Sequence, residues 1–134
     1  MNPLDIIAKY YPVGSEAYRI LVIHSRSVAD KALAIARMHP EMNLDLTFVE
    51  EAAMLHDIGI FRCNAPDIDC HGDAEYICHG YLGAELMRGE GYPRHARVCE
   101  RHTGTGITLA MIEERGLPLP HRDFMPETLD EQLI

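Results

Sequence analysis

The stretch MLHDIGIF, residues 54–61, places a histidine and an aspartate, His56 and Asp57, at the end of a run that has the pattern of a buried helix. The capping box TFVE at residues 47–50 predicts where this helix begins. Gly59 is predicted to close it. Helical spacing then assigns four residues to the inner face: Val49, Ala52, Ala53 and His56. The pattern therefore directs an imidazole into the core.

The rest of the chain is also predicted to be mainly helical, because no segment shows convincing period-two alternation. Residues 61–75 have no helical period and contain Pro, Gly and Asn, which predicts a long loop that could act as a lid. The fold class is therefore expected to be an all-α helical bundle. Besides the helix that ends at Gly59, the predicted helices run from Pro3 to before Pro12, from about Ser15 to Met38, from Tyr76 to Glu90, from Pro93 to about His102 and from Ile107 to Arg115.

The last residues carry a second capping box, at positions 128–131, which predicts another helix. Only about one and a half turns at 3.6 residues per turn fit before Ile134. We expect residues 1–134 to form a single domain whose C-terminal helix is either cut short at the chain end or held there by packing alone.

Composition excludes several function classes. The chain has 134 residues, 21 acidic against 12 basic side chains and a net charge of −9, which opposes binding to nucleic acid or to an anionic membrane. No apolar stretch approaches the ~18 residues of a membrane span. The first residues lack the pattern of a signal peptide. A cytoplasmic protein is the expectation.

The four cysteines are expected to be reduced thiols, because nothing in the sequence indicates secretion. A second interpretation is a structural zinc site built on CNAPDIDC, residues 63–70, together with His71 or His79. No C-x-x-C pair supports this alternative.

Four histidines lie on the predicted inner faces of four different helices: His24, His56, His79 and His102. Leaving four buried polar groups unpaired would cost roughly 1–3 kcal/mol each. One shared cation would remove that cost, and Asp57 beside His56 could bridge two ions. Imidazole and carboxylate ligands suit one or two divalent ions of zinc, iron, manganese or nickel.

These motifs resemble the HD-domain superfamily of metal-dependent phosphohydrolases. The resemblance rests on HDIG at residues 56–59, HSRSVA at 24–29, CHGYLGAEL at 78–86 and ERHTGTG at 100–106. It extends from about His24 to Ile107. Within the superfamily the sequence is most similar to stand-alone HDIG-type proteins, and next to the dinuclear hydrolases of diadenosine tetraphosphate.

The resemblance implies a fold, a ligand set and a reaction. His24, His56 and Asp57 would hold a first metal, and Asp57, as the catalytic residue, would bridge to a second one completed by His79 and His102. A metal-bound hydroxide would attack phosphorus in a phosphoester or phosphoanhydride, with a nucleotide as the expected substrate.

The sequence departs from the family pattern in two ways. The family closes its first metal site with an aspartate on a C-terminal helix, whereas Asp130 lies too early in the last predicted helix to be that ligand. Dinuclear relatives often carry a lysine after HDIG, where this chain has Ile60. Arg62 or Arg101 could supply the charge that binds substrate instead. Glycines after His102, at positions 104 and 106, could also let the backbone approach a phosphate.

Three functions remain from the sequence. The first is hydrolysis of a small phosphorylated substrate, with neither nucleic acid nor membrane as partner and a homodimer left open. The second is a di-iron oxygenase, since some HD-fold proteins resemble this ligand set. The third is a non-catalytic module that binds a metal or a nucleotide.

Overall fold

The fold is an all-α bundle, as predicted, and a computed structural model describes residues 1–103 and 106–134 of it. A short antiparallel hairpin, β1 (Asn64–Ala65) and β2 (Cys70–His71), is the exception to the helical pattern. The helices are α1 (Pro3–Tyr10), α2 (Glu16–Met38), α3 (Leu46–Leu55), α4 (His79–Gly89), α5 (Pro93–Arg101), α6 (Leu109–Arg115) and α7 (Leu129–Leu133).

Side-chain caps begin α1 and α7 at Asn2 and Thr128, as predicted, and Ser15 caps α2. Asn2, Ser15 and Thr128 each accept a hydrogen bond from a backbone N–H of the first turn. The predicted cap of α3 is wrong. Asp45 caps this helix by accepting from the backbone N–H of Phe48, and the box at residues 47–50 lies inside it.

The end of α3 also differs from the prediction. The helix stops at Leu55, and a tighter 3-10 turn, Ile58–Arg62, follows and contains Gly59. His56 and Asp57 therefore occupy the junction between the two. The predicted inner face is confirmed, because Val49, Ala52, Ala53 and His56 are all buried.

The main apolar core joins α1, the 3-10 turn and the α4–α5 pair, while α2 packs along α3. Tyr11 lies in this core with its ring 2% exposed. Its hydroxyl donates to the carbonyl of Ile58 at 2.8 Å and accepts from the N–H of Phe61 at 2.9 Å. One side chain thereby holds both ends of the turn that follows Asp57.

Two glycines let α4 approach the turn and α5. A Cβ at Gly59 would lie 2.1 Å from the carbonyl oxygen of His79, and a Cβ at Gly80 would lie 2.6 Å from that of Cys99. Any larger residue would force these elements apart. Backbone contact at these two positions brings the start of α4 and the end of α5 beside Asp57.

The predicted loop contains more structure than expected. Residues 62–78 form the hairpin and two 3-10 turns, and Gly72 donates to the carbonyl of Cys63 at 3.0 Å. Near the other end of the chain, α7 packs on α5 through ion pairs. None of the helices in the described ranges has both the length and the apolar composition of a membrane crossing.

Candidate metal centre

The five predicted metal ligands come from four parts of the fold and meet at one point. His24 lies in the middle of α2, His56 and Asp57 follow α3, His79 begins α4 and His102 follows α5. Oδ2 of Asp57 is 3.0 Å from Nε2 of His24 and 3.1 Å from Nε2 of His56. These atoms form one group that could hold a metal ion.

The other carboxylate oxygen of Asp57 faces a second pair of histidines. Oδ1 is 3.3 Å from Nε2 of His79 and 3.0 Å from Nε2 of His102. The two histidine nitrogens are themselves 3.0 Å apart. Asp57, His79 and His102 form a second group that could hold a metal ion. Asp57 therefore belongs to both groups, with one oxygen directed to each.

Three of the four histidines of the centre, His56, His79 and His102, are each oriented by a backbone carbonyl three residues earlier. Because a carbonyl oxygen only accepts, Nδ1–H of the ring must be the donor. The lone pair of each Nε2 then points toward the carboxylate. The distances from Nδ1 to the carbonyl oxygen are 2.5 Å for His56 to Ala53, 2.7 Å for His79 to Tyr76 and 2.6 Å for His102 to Cys99.

This arrangement fits a cation better than a set of protonated rings. Burial lowers the pKa of His102 even though contact with Asp57 opposes that change, which favours its neutral form. Doubly protonated rings at His56, His79 and His102 would also repel one another. A neutral ring with Nδ1–H directs the lone pair of Nε2 at the carboxylate of Asp57, and this contact is repulsive. A metal cation between the nitrogen and the carboxylate makes both contacts attractive.

The electrostatics of Asp57 favour its ionised form. Burial acts to raise the pKa of this carboxyl, but where the surrounding imidazoles donate to it from protonated Nε2 atoms their contacts outweigh burial and hold the pKa below its usual range, and a metal cation in the same place would act in the same direction. Contact with Asp57 raises the pKa of His24. The centre therefore supplies a permanent negative charge among nitrogen ligands, which is the donor set expected for a divalent transition metal.

The centre is open on one side. The side chain of His24 is 54% exposed, whereas that of His79 is 5% exposed. A cavity of about 250 Å³ reaches the centre from the open side, and His24 and Asp57 form part of its wall. A small molecule entering this cavity would meet the first metal group before the second.

The two arginines predicted to bind substrate are not brought to this cavity. Arg101 is buried and donates to the carbonyl of Met125 at 2.5 Å, and it pairs with Glu127 at 3.4 Å. Arg62 lies exposed beside the ring of Phe61. Intramolecular partners therefore hold Arg101 away from the site, and Arg62 lies outside the cavity wall.

Asp130 is also placed away from the centre, as expected for a residue early in the last helix. Its carboxylate pairs with Arg94 at 2.8 Å. The cysteine-based zinc alternative is not supported, because the metal-binding groups found among the described residues contain no cysteine. All four cysteines are free thiols, as predicted.

Of the two glycines considered for phosphate contact, position 104 lies outside the described residues. Gly106 is described and has a φ of +109°. Met125 and Pro126 lie so close to this residue that a Cβ at position 106 would be 2.6 Å from the sulfur of Met125. Packing thus accounts for this glycine.

Sequence reasoning missed three residues that position the centre. Tyr11 anchors the turn after Asp57, and nothing in its local pattern indicates this contact. Gly80 permits the approach of α4 to α5, a close contact that local spacing cannot show. Tyr76 contributes its carbonyl to His79, and its ring stacks on that imidazole with centroids 4.4 Å apart.

Comparisons with known proteins agree with this geometry. The HD domain family matches residues 21–132. A tRNA (cytidine(56)-2'-O)-methyltransferase of Thermoplasma volcanium is 33% identical over 98% of this chain and 33% of its own length. A protein of the same name from Picrophilus torridus is 32% identical over 86% of this chain and 29% of its own length.

An uncharacterized protein of Methanocaldococcus jannaschii is 36% identical over 85% of this chain and 62% of its own length. The chain thus spans less than two thirds of each of these relatives. No solved structure matches it with comparable significance.

Proposed function

The chain belongs to the HD-domain family, and on this basis we propose that it is a metal-dependent phosphohydrolase that cleaves a phosphoester or phosphoanhydride in a nucleotide-like substrate. One observation carries the proposal. Each carboxylate oxygen of Asp57 faces two imidazole nitrogens at 3.0–3.3 Å, so that one residue joins two groups of metal ligands.

We assign the five candidate ligands to two metal positions. His24, His56 and Asp57 would hold one ion at the open edge, and Asp57, His79 and His102 would hold a second in the enclosed part. A bound divalent ion of zinc, iron, manganese or nickel lowers the pKa of a coordinated water from ~15.7 toward ~7 and screens charge on a phosphoryl group.

The chain itself would supply the orientation of the metal ligands. The backbone carbonyls behind His56, His79 and His102 hold each ring in one tautomer, which presents Nε2 without a rotation at the moment of reaction. Asp57 would contribute its carboxylate to both metal positions, one oxygen to each. Substrate would reach the centre from the exposed side of His24.

Methyl transfer is not part of the proposal. The names of the two methyltransferases describe proteins of which this chain matches 33% and 29%. The matched region instead contains the histidine and aspartate cluster, which is typical of hydrolytic metal chemistry.

The test is hydrolysis by protein loaded separately with Mn²⁺, Zn²⁺, Ni²⁺ or Fe²⁺, with nucleoside mono-, di- and triphosphates and simple phosphate esters as substrates. We expect release of phosphate or of a nucleoside monophosphate, and loss of at least ~100-fold in Asp57→Asn. His39→Asn is the matched control, because this exposed histidine pairs with Glu41 at the end of α2.

Absence of turnover on the whole panel, in protein shown to contain metal, would contradict the proposal. Oxygen uptake by the iron-loaded form without phosphate release would favour the oxygenase alternative instead. Tight nucleotide binding without turnover would favour the binding module.

A further inference from the structure

We propose that the substrate is a phosphomonoester that joins one terminal phosphate to a compact aromatic or apolar group. This inference rests on the proposed function and narrows its substrate class. It follows from the walls of the cavity that leads to the metal centre.

The cavity wall is predominantly apolar, and among the described residues neither lysine nor arginine contributes to it. Its charged side chains are the candidate ligands His24 and Asp57. The apolar wall comes from α2, from the turn after Asp57 and from the hairpin segment: Ala17, Ile20, Leu21, Ile60 and Ile68.

This composition limits how many phosphates a substrate can carry. A single phosphate at the centre is matched by the metal ions. A second or third phosphate would extend along Ile20, Ile60 or Ile68, where no lysine or arginine among the described wall residues neutralises it. Polyphosphates are therefore expected to bind less well than a monophosphate with the same organic group.

The size of the cavity also favours a substrate with a compact organic group. At about 250 Å³ the cavity is smaller than the ~300–1,000 Å³ of most ligand pockets. It has room for one ring system, so most of a diadenosine tetraphosphate would have to extend outside the mouth of the cavity.

Two tyrosines suggest an aromatic group on the substrate. Tyr76 lies in the cavity wall, is 51% exposed and has one ring face against His79. A ring entering the cavity could stack on the remaining surface of Tyr76. Tyr11 lies on the wall too, but Ile58 and Phe61 already engage its hydroxyl, so its ring provides an apolar surface rather than a proton donor.

Binding of inert analogues tests the apolar part without turnover. Titration calorimetry on the metal-loaded protein should show phenylphosphonate binding at least ~10-fold more tightly than methylphosphonate, since the ring replaces water along the wall. Tyr76→Ala should reduce this preference, while Tyr81→Ala, on the far side of α4 beside Glu85, should retain it. Equal affinities in wild type, or a preference unchanged in Tyr76→Ala, would overturn the inference.

Charge introduced into the wall tests the phosphate count. Ile20 and Ile23 lie on the same helix, but Ile20 lines the cavity and Ile23 is 58% exposed outside it. Wild type should use phenyl phosphate at least ~10-fold better in kcat/KM than phenyl triphosphate. Ile20→Lys should shrink this ratio at least ~5-fold, whereas Ile23→Lys should leave it unchanged.

Ile68→Lys, at a half-buried wall position in the hairpin segment, repeats the test if Ile20→Lys does not fold. Equal use of mono- and triphosphates by wild type would overturn this inference while leaving the proposed hydrolase in place. Failure to hydrolyse any substrate would instead contradict the proposed function, and the phosphonate titration would still report on the wall.

Discussion

Nε2 of His79 lies 3.0 Å from Nε2 of His102, and the Nδ1–H of each ring donates to a backbone carbonyl. Two lone pairs therefore face each other beside the carboxylate of Asp57. Between two neutral rings such a contact costs free energy unless a proton or a metal cation lies between the two nitrogens. The pair is the clearest structural support for a metal ion in this centre.

Metal removal and replacement should therefore change stability. Adding a divalent metal at ~100 times its dissociation constant should stabilise the native state by about 2.7 kcal/mol per site, seen as a higher melting temperature in calorimetry. His102→Ala should lower bound metal by about one equivalent per chain, measured by elemental analysis after dialysis. The same metal content in His102→Ala and in the His39→Asn control would contradict the assignment of the inner group.

Gly59→Ala should disrupt both the fold and the centre. The added Cβ would lie 2.1 Å from the backbone oxygen of His79, so α4 must move away from the turn. We expect a loss of about 3 kcal/mol or more in the free energy of unfolding, together with weaker metal binding. Urea denaturation and metal titration are the measurements.

Gly89→Ala is the matched control, because its added Cβ meets nothing within 4 Å. This substitution at the end of α4 should be neutral or stabilising by about 0.4–1 kcal/mol. A wild-type stability for Gly59→Ala would show that the turn and α4 do not approach as closely as described.

Tyr11→Phe removes one hydroxyl that engages two backbone groups of the turn. Because the carbonyl of Ile58 and the N–H of Phe61 would lose their partner, we expect destabilisation of about 1–3 kcal/mol. Tyr10→Phe, which loses a half-buried contact with Glu90, should cost less. Equal losses for the two variants in urea denaturation would argue against the anchoring role of Tyr11.

The ion pair between Glu131 and Arg97 should make stability depend on pH. Burial acts to raise the pKa of Glu131, whereas the guanidinium of Arg97, at 2.9 Å, and backbone N–H groups lower it below its usual value. The folded pKa is thus below the unfolded value of ~4.3. The stabilisation is fully present above that value and is lost as the pH falls through the folded pKa.

Glu131→Gln should therefore destabilise the protein at pH 7 by about 1 kcal/mol, a low figure because Arg97 is partly solvated. The difference from wild type should shrink as the pH is lowered from 5 toward the folded pKa. Glu127→Gln, at a position that is 66% exposed, is the control and should show little effect. A difference that stays constant with pH would refute the linkage.

Local pattern was sufficient for the parts of the fold that depend on neighbouring residues. Helical spacing correctly predicted that His56, just after α3, is buried, and the caps Asn2 and Thr128 were predicted because cap chemistry acts within three residues. The short range of cap contacts also explains why the wrong cap was predicted for α3. Asp45 and Thr47 are both good caps, and local sequence does not decide which of them accepts the first N–H.

Most long-range contacts could not be predicted from local pattern. The convergence of His24 with His56 and Asp57 was expected from the cost of burying unpaired polar groups, and the structure brings them together. The predicted burial of His24 itself is wrong, because its side chain is 54% exposed at the open side of the centre. The substrate-binding hypothesis for Arg101 depended on where its guanidinium would point, and that is decided by Met125 and Glu127, more than twenty residues away. The approach of Gly80 to Cys99 likewise has no local signal.

The family match begins at residue 21, yet Tyr11 precedes that boundary and holds the turn next to Asp57. A recombinant fragment trimmed to the matched span would lose this anchor together with the buried side chain of Ile7. The fragment would also lack Ala17 and Ile20. Part of the cavity wall would then be missing, and Asp57 would be held less firmly. Boundaries for expressing such domains are better chosen from the hydrogen bonds that cross a proposed cut than from the extent of sequence similarity.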